Sequence, residues 1–456
     1  MASKRIAIAP LLLALALALA GLAGCASVEV ARAPAAAVRH PVIAEAQALA
    51  RGQAALAGQA RADNADRIEA LLAQLDDATL AREAAALPPG DPLYNFAGRA
   101  LITRGLPLPR AFDRGEWRFD AANRPPAEAD GYRPPVQVAV LLPLSGSQAP
   151  VGAAVRDGFL AGYYGETRHR PALRFYDTAA GAAAAYARAA ADGNDFLVGP
   201  LGREEVDAVF ADRAPPVPLL ALNRGERMPP AGSASFSLSP EDEGVAAAEY
   251  LLDAGARRVL VIAGGEDIQR RSAKALRERL LTRGAQVAGE LHYDASGAPL
   301  ALPAGEPPDA VFLALKGSQA RELAPRLAAA GLAGRPRVAT SQIVSGTGKA
   351  AEDLALDGIA YPTETWSVRR VPGLPAQASA AAQVDTAKGP AARLFAFGHD
   401  AWLLTAYLEK LALSPNVEVE GATGRLGLDG FGIVVRRPSW SRFTGGVPVP
   451  IADGAR

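Results

Sequence analysis

Two short loops carry residue types suited to holding a small anion. Ser145-Gly146-Ser147 follows the apolar run 136–142, and Gly199-Pro200-Leu201-Gly202 follows the apolar run 196–198. Asn223 closes a third such run, 217–222. Glycine admits close approach of the backbone, and free N–H groups beside a hydroxyl can hold a carboxylate. The same residues equally serve tight turns that only reverse the chain. The ligand reading puts these seven positions, Ser145, Gly146, Ser147, Gly199, Pro200, Leu201 and Asn223, at one candidate cleft.

Other reactive-looking groups have simpler explanations. Ser239-Pro240-Glu241-Asp242-Glu243 suggests clustered catalytic acids, yet Ser suits an N-cap, Pro the first helical position, and acids the positive end of a helix. His399-Asp400 suggests part of a triad, but no Gly-x-Ser-x-Gly elbow accompanies it. It opens a helix whose Leu403, Leu404, Tyr407 and Leu411 share a face, so packing or capping accounts for it. The four His are scattered without paired ligand spacing, which gives no metal site and no cofactor. Gly346-Thr347-Gly348-Lys349 is followed by Ala350 and lacks the spacing of a phosphate-binding loop. Arg270, Arg271, Lys274, Arg277 and Arg279 fall on one helix and read as a solvated face. Arg436, Arg437, Trp440 and Arg442, after the Asp429-Gly430 turn, combine arginine with an aromatic and form a candidate partner surface. No enzyme emerges from these residues.

The elements that must position the cleft are regular. Residues 136–142 form a strand, and Val151, Val155, Phe159 and Tyr163 then recur every four positions, the stripe of a helix laid on a sheet. Strands at 173–176, 196–198 and 217–222 alternate with helices at 180–191 and 204–210. The pattern continues with helix 241–253, strand 259–263, helix 268–282, strand 286–293, strand 310–315, helix 319–330, and strands 337–340 and 358–361. Such alternation implies a parallel sheet covered on both faces, and ligands at its carboxyl edge. There are too many strands for one sheet, so two lobes follow: 136–238 with 363–415, and 239–362 with 416–450. Residues 371–390, rich in Ala, Pro and Gly, read as a long mobile loop.

Ahead of the first strand the texture changes. Segments 43–56, 65–75 and 80–87 are rich in Ala and Leu at helical spacing, and Asp91-Pro92 starts a further helix ending near Gly105. The domain expected at 26–124 is all-helical, with a linker at 125–135. Residues 1–24 have a positive start, an apolar run and small residues before Cys25, the only cysteine among 456 residues. Leu22-Ala23-Gly24-Cys25 resembles the lipobox of bacterial lipoproteins, which makes Cys25 the acylated residue and the link to a membrane. Acyl chains contribute about 0.8 kcal/mol per buried methylene, so multiple acylation anchors stably. Ala26 follows, not the Asp of inner-membrane retention. With 48 basic and 48 acidic residues the net charge is +0, which offers no surplus for a nucleic-acid partner.

Leu141-Leu142-Pro143-Leu144-Ser145-Gly146, followed by Val155-Arg156-Asp157-Gly158-Phe159, resembles the penicillin-binding-protein activator lipoproteins of the LpoA type. A-D-G-N-D-F-L-V-G-P-L, V-P-L-L-A-L-N, F-S-L-S-P-E-D-E, F-G-H-D-A-W and G-A-T-G-R-L-G-L-D continue the match in order, from 136 to about 448. The resemblance implies an α/β, two-lobed type I periplasmic-binding-protein-like fold, preceded by a short tetratricopeptide-like helical domain. Such repeats span about 34 residues, which leaves room for about three units. The repeat's aromatic and glycine pattern is absent here.

The resemblance also implies a role: an outer-membrane lipoprotein, facing the periplasm, that binds and activates a bifunctional class A penicillin-binding protein. The chain lacks the Ser-x-x-Lys and Lys-Thr-Gly pair of a transpeptidase. The alternative is a solute-binding lipoprotein serving a transporter, with an unidentified small ligand in the cleft. Two features weigh against it. The first strand begins 111 residues after Cys25. Leu201, Gly202 and Arg203 also stand where amino-acid-binding relatives place a hydroxyl.

Overall fold

The computed structural model describes residues 39–452 apart from 57, 105, 114–123, 212–214, 231, 345–348 and 415. The described residues begin with two helical pairs: α1 (Pro41–Gly52) with α2 (Gly58–Ala73), and α3 (Asp77–Ala85) with α4 (Tyr94–Thr103). Ile43, Ile68, Leu72, Leu80, Tyr94 and Leu101 form their shared core. Asp76 caps α3, its carboxylate accepting from the Thr79 N–H at 2.8 Å. The described residues thus hold two hairpins, where length alone suggests about three.

The stretch at 125–135 is fastened to the first lobe. Tyr132 is buried in that lobe's core, Arg133 pairs with Glu409 at 2.7 Å, and Asp130 accepts from the Tyr407 hydroxyl at 2.6 Å.

The first lobe is built on β1 (Gln137–Leu142). Val138, Val140 and Leu142 belong to one apolar layer and Ala139 and Leu141 to another, as the two-residue period of a strand buried on both faces requires. β1 lies between β2 (Ala172–Asp177) and β3 (Phe196–Val198). β4 (Leu219–Ala221) and β5 (Ala234–Ser235) complete a parallel sheet in the order β2-β1-β3-β4-β5. Helix α5 (Ala149–Gly165) covers one face; α6 (Ala182–Ala191) and α7 (Arg203–Val209) cover the other.

The second lobe begins with α8 (Pro240–Asp253). Ser239 caps it, accepting from the Asp242 N–H at 3.1 Å. Then come β6 (Arg258–Ala263), α9 (Asp267–Thr282), β7 (Gln286–His292), β8 (Ala310–Ala314), α10 (Gly317–Ala329), β9 (Arg337–Ala339) and β10 (Ile359–Thr363). These five strands are parallel, in the order β10-β9-β8-β6-β7. Val259 and Val261 face α8 and α9, while Leu260 and Ile262 face α10.

The chain returns to the first lobe after Thr363. Residues 371–390, where composition suggests a long mobile loop, are packed and partly helical. Val371, Ala380 and Ala387 are buried, and Trp366 stacks on Phe395 at 5.1 Å. Small apolar residues without periodicity pack well in a short helix (Gln377–Ala381) and a 3-10 turn laid against larger neighbours. The long helix α11 (Ala391–Leu413) crosses α5 closely. A Cβ on Gly158 would sit 1.8 Å from the Phe395 carbonyl, and one on Gly398 2.0 Å from that of Val155.

One boundary differs from the sequence expectation. β11 (Val419–Glu420), β12 (Arg425–Leu428) and β13 (Val434–Arg437) form a small antiparallel sheet. Val419, Leu426, Leu428 and Val434 belong to the core of the first lobe, so 416–437 sits there and not in the second. Only β14 (Ser439–Thr444) and β15 (Val447–Ile451) pass over, adding antiparallel strands beside β10.

Candidate functional site

The loops at the carboxyl edge of the first sheet are already occupied by the protein's own groups. Ser145 donates its hydroxyl to Asp177 at 2.5 Å, and the N–H groups of Leu144 and Ala179 reach the same carboxylate at 2.9 and 3.0 Å. The Ser145 hydroxyl, helped by those two amides, holds the Asp177 carboxyl down to about 2. Gly146 has φ 73° and Gly199 φ 105°, the left-handed region that glycine tolerates. A Cβ on Gly199 would meet the Leu141 carbonyl at 2.1 Å. Asn223 donates to the Leu201 carbonyl at 2.8 Å, and the Pro200 carbonyl accepts from the Leu222 N–H at 3.0 Å. Ser147 and Gly146 are exposed. Ser145, Gly146, Gly199, Pro200, Leu201 and Asn223 therefore sit in turns that bond to their own lobe.

Across the gap between the lobes stands a group that the sequence analysis did not assemble. Arg393, at the start of α11, donates to Glu243 in α8 and to the Ser341 hydroxyl just after β9. Its Nε lies 3.0 Å from Glu364, which follows β10. Glu243 is 5% exposed and also accepts from the Ser341 N–H at 2.9 Å and its hydroxyl at 2.8 Å. Burial pushes its carboxyl up, but Arg393, Arg436 and the Ser341 N–H outweigh that and leave it below the ordinary value. The acids after Ser239 thus do more than sit at a helix start. Glu241 pairs with Arg271 at 2.7 Å, Asp242 with Arg224 at 2.8 Å, and Glu243 bridges the lobes. Only the cap itself was recoverable from spacing.

His399 and Asp400 are both buried. Asp400 accepts from the Ala422 N–H at 2.5 Å, the Thr423 N–H at 2.7 Å and the Thr423 hydroxyl at 2.6 Å, with His399 Nδ1 3.2 Å away. The pair fastens α11 to the loop before β12.

The expected partner surface does not form as one patch. Arg436 is 8% exposed and donates to the Thr423 carbonyl at 3.0 Å. Trp440 is buried and stacks on Tyr250 at 4.2 Å. Arg437 pairs with Glu418, and only Arg442 is exposed. Alternation turns Arg436 and Arg437 to opposite sides of β13, whereas Trp440 and Arg442 share a side of β14 and both reach Tyr250. Cys25 and residues 346–348 lie outside the described residues.

The helical domain meets the first lobe through the turn after β12. Phe431 packs on Phe96 at 4.7 Å, and Arg99 lies 4.0 Å over its ring while pairing with Asp429 at 2.6 Å. Asn95 donates to the Gly430 carbonyl at 3.2 Å.

Two parallel-sheet lobes, joined by repeated chain crossings and preceded by helical hairpins, define a type I periplasmic-binding-protein-like fold with a helical extension. The chain belongs to the family described as "LppC putative lipoprotein", whose model matches residues 131–298 and 304–446. It is 29% identical over 354 residues to the penicillin-binding protein activator LpoA of Photobacterium profundum, covering 69% of this chain. The chain spans 57% of that relative's length. Full-length LpoA from Haemophilus influenzae superposes with a TM-score of 0.61 at 21% identity, over 90% of this chain and 78% of that one. A Chromobacterium violaceum protein described as a putative branched-chain amino acid ABC transporter gives 0.54 at 28% identity, over 68% of this chain and all of that one.

Proposed function

We propose that this chain is an outer-membrane lipoprotein, acylated at Cys25 and facing the periplasm, that binds a class A penicillin-binding protein and stimulates its cross-linking of peptidoglycan. The observation that carries this reading is the family match over 131–298 and 304–446 together with relatives named as activators. The protein performs no chemistry itself. It acts by binding the synthase's active conformation in preference to the inactive one, which shifts that population. Residues 1–24 are the signal peptide, 26–124 the helical domain and 125–135 the connection to the lobes. The Arg393–Glu243–Ser341 contacts across the interlobe gap support a scaffold over a solute carrier, because an incoming solute has to displace them.

The test adds the mature chain to the same organism's purified class A synthase and measures conversion of lipid II into cross-linked peptidoglycan. Activation predicts a several-fold rise that disappears when 26–124 is removed. No rise and no detectable binding would reject it and turn attention to a solute-binding role.

A further inference from the structure

A cavity of about 720 Å³ lies where the helical domain and both lobes meet, within the size range of small-molecule sites. Nine arginines line it against five carboxylates, with no lysine or histidine. The carboxylates are engaged: Arg99 holds Glu69 at 2.9 Å and Asp429 at 2.6 Å, Arg224 holds Asp242 at 2.8 Å, and Arg279 holds Glu249. Asp253 also has a partner.

Beyond the lining, Asp77 pairs with Arg104, Glu420 with Arg369 and Glu418 with Arg437, and Arg425 also has a partner, which leaves Arg436 as the buried arginine with no ion pair among the described residues. Arg436 is 8% exposed, and among the described residues no carboxylate pairs with it; its one bond is to the Thr423 carbonyl. Six guanidinium nitrogens on Arg99, Arg104, Arg224, Arg279, Arg436 and Arg437 are buried without a hydrogen-bond partner among the described residues. Burial, followed by repulsion from Arg393, pulls the Arg436 pKa below its ordinary value. A buried guanidinium facing a cavity is costly unless an anion meets it, and its planar donors match phosphate and carboxylate oxygens.

We propose that this cavity is a binding site for a small soluble oxyanion bearing at least two phosphate or carboxylate groups. Arg99 and Arg104 come from α4 and its end, Arg224 and Arg436 from the first lobe, and Arg279 from the second. One ligand is then held by all three bodies. Arg227, exposed at the rim, supplies a further cation at the entrance.

The test titrates the full chain with sodium pyrophosphate, and separately with citrate, at ionic strength fixed by NaCl, reading heat and melting temperature. The expected result is saturable binding of at least one of the two probes, with a melting temperature that rises with its concentration. Arg436→Gln weakens that binding about tenfold or more, and Arg227→Gln several-fold, the loss of one charge-assisted contact each. Lys274→Gln, on an exposed face outside the cavity, leaves it unchanged. Should Arg436→Gln fail to fold, Arg227→Gln decides. A parallel arm measures sedimentation with phosphatidylglycerol vesicles. Absence of saturable binding by both probes, equal affinity in the wild type and the two cavity variants, or association with vesicles alone would each overturn the proposal.

Discussion

Arg393 and Glu243, 150 positions apart, meet in the gap between the lobes, the guanidinium of one closing on the nearly buried carboxylate of the other. Neither charge has full access to water, so each depends on the other to offset its desolvation.

Arg393→Met therefore strands a buried carboxylate. The expected loss is about 3 kcal/mol, at the lower end for a broken buried pair because the Ser341 hydroxyl and N–H still bond to Glu243. Urea denaturation of the variant measures it, and an unchanged midpoint would show that the lobes do not rely on this contact.

The same pair gives stability a pH dependence of known sign. The folded Glu243 carboxyl sits below its ordinary value of 4.5. A lowered folded pKa means that the unfolded chain takes up its proton first on acidification. The contribution is thus complete above the unfolded value and is lost as pH falls through the folded one. Glu243→Gln removes it, so the gap in stability between wild type and variant narrows on acidification below about pH 4.5. A gap independent of pH in acid titrations would contradict this.

Arg436→Met moves stability the other way. Arg436 feels Glu243, Glu364 and Asp242 only from a distance. Replacing a buried charge that has no ion pair among the described residues by a packed apolar side chain is expected to stabilise by about 1 kcal/mol, raising the melting temperature by a few degrees. The same variant loses the oxyanion site, and a gain of stability beside a loss of binding marks a residue kept for a ligand.

Gly158→Ala probes the crossing of α5 and α11. The added methyl would collide with the Phe395 carbonyl at 1.8 Å, and a backbone atom cannot swing aside. Forcing the helices apart costs about 3 kcal/mol. Thermal unfolding measures this, with the Phe159–Trp402 contact at 5.7 Å providing a fluorescence signal for the same interface.

Local pattern revealed what depends on neighbours in sequence. The apolar run of β1, the four-residue stripe of α5 and the Ser239 cap all follow from spacing, and the alternation of strands and helices implied two covered sheets. Resemblance added the order of the lobes. What stayed hidden depends on distant partners. Asp177 claims the Ser145 hydroxyl from 32 positions away, which turns an apparent anion cradle into a closed turn. Asp400 bonds to Thr423 rather than capping its own helix, and Trp440 finds Tyr250 across the second lobe. The small sheet at 419–437 could not be assigned by its own sequence, because its apolar faces match the core of either lobe and only tertiary packing selects one. The arginine-lined cavity draws on residues from 69 to 440, a set with no linear signature.

The placement of that small sheet also bears on how the molecule assembles. Leu426, Leu428 and Val434 close a core whose other walls, β1 and β3, were made more than two hundred residues earlier. A chain emerging amino terminus first must keep that wall uncovered through nearly the whole of its synthesis. Burial with such long sequence separation is slow, and unfinished apolar surface is prone to aggregate. Loss of even the last few dozen residues would thus leave the first lobe unfinished, and holding chaperones would be needed longest by a lobe whose opening strands appear long before its last ones.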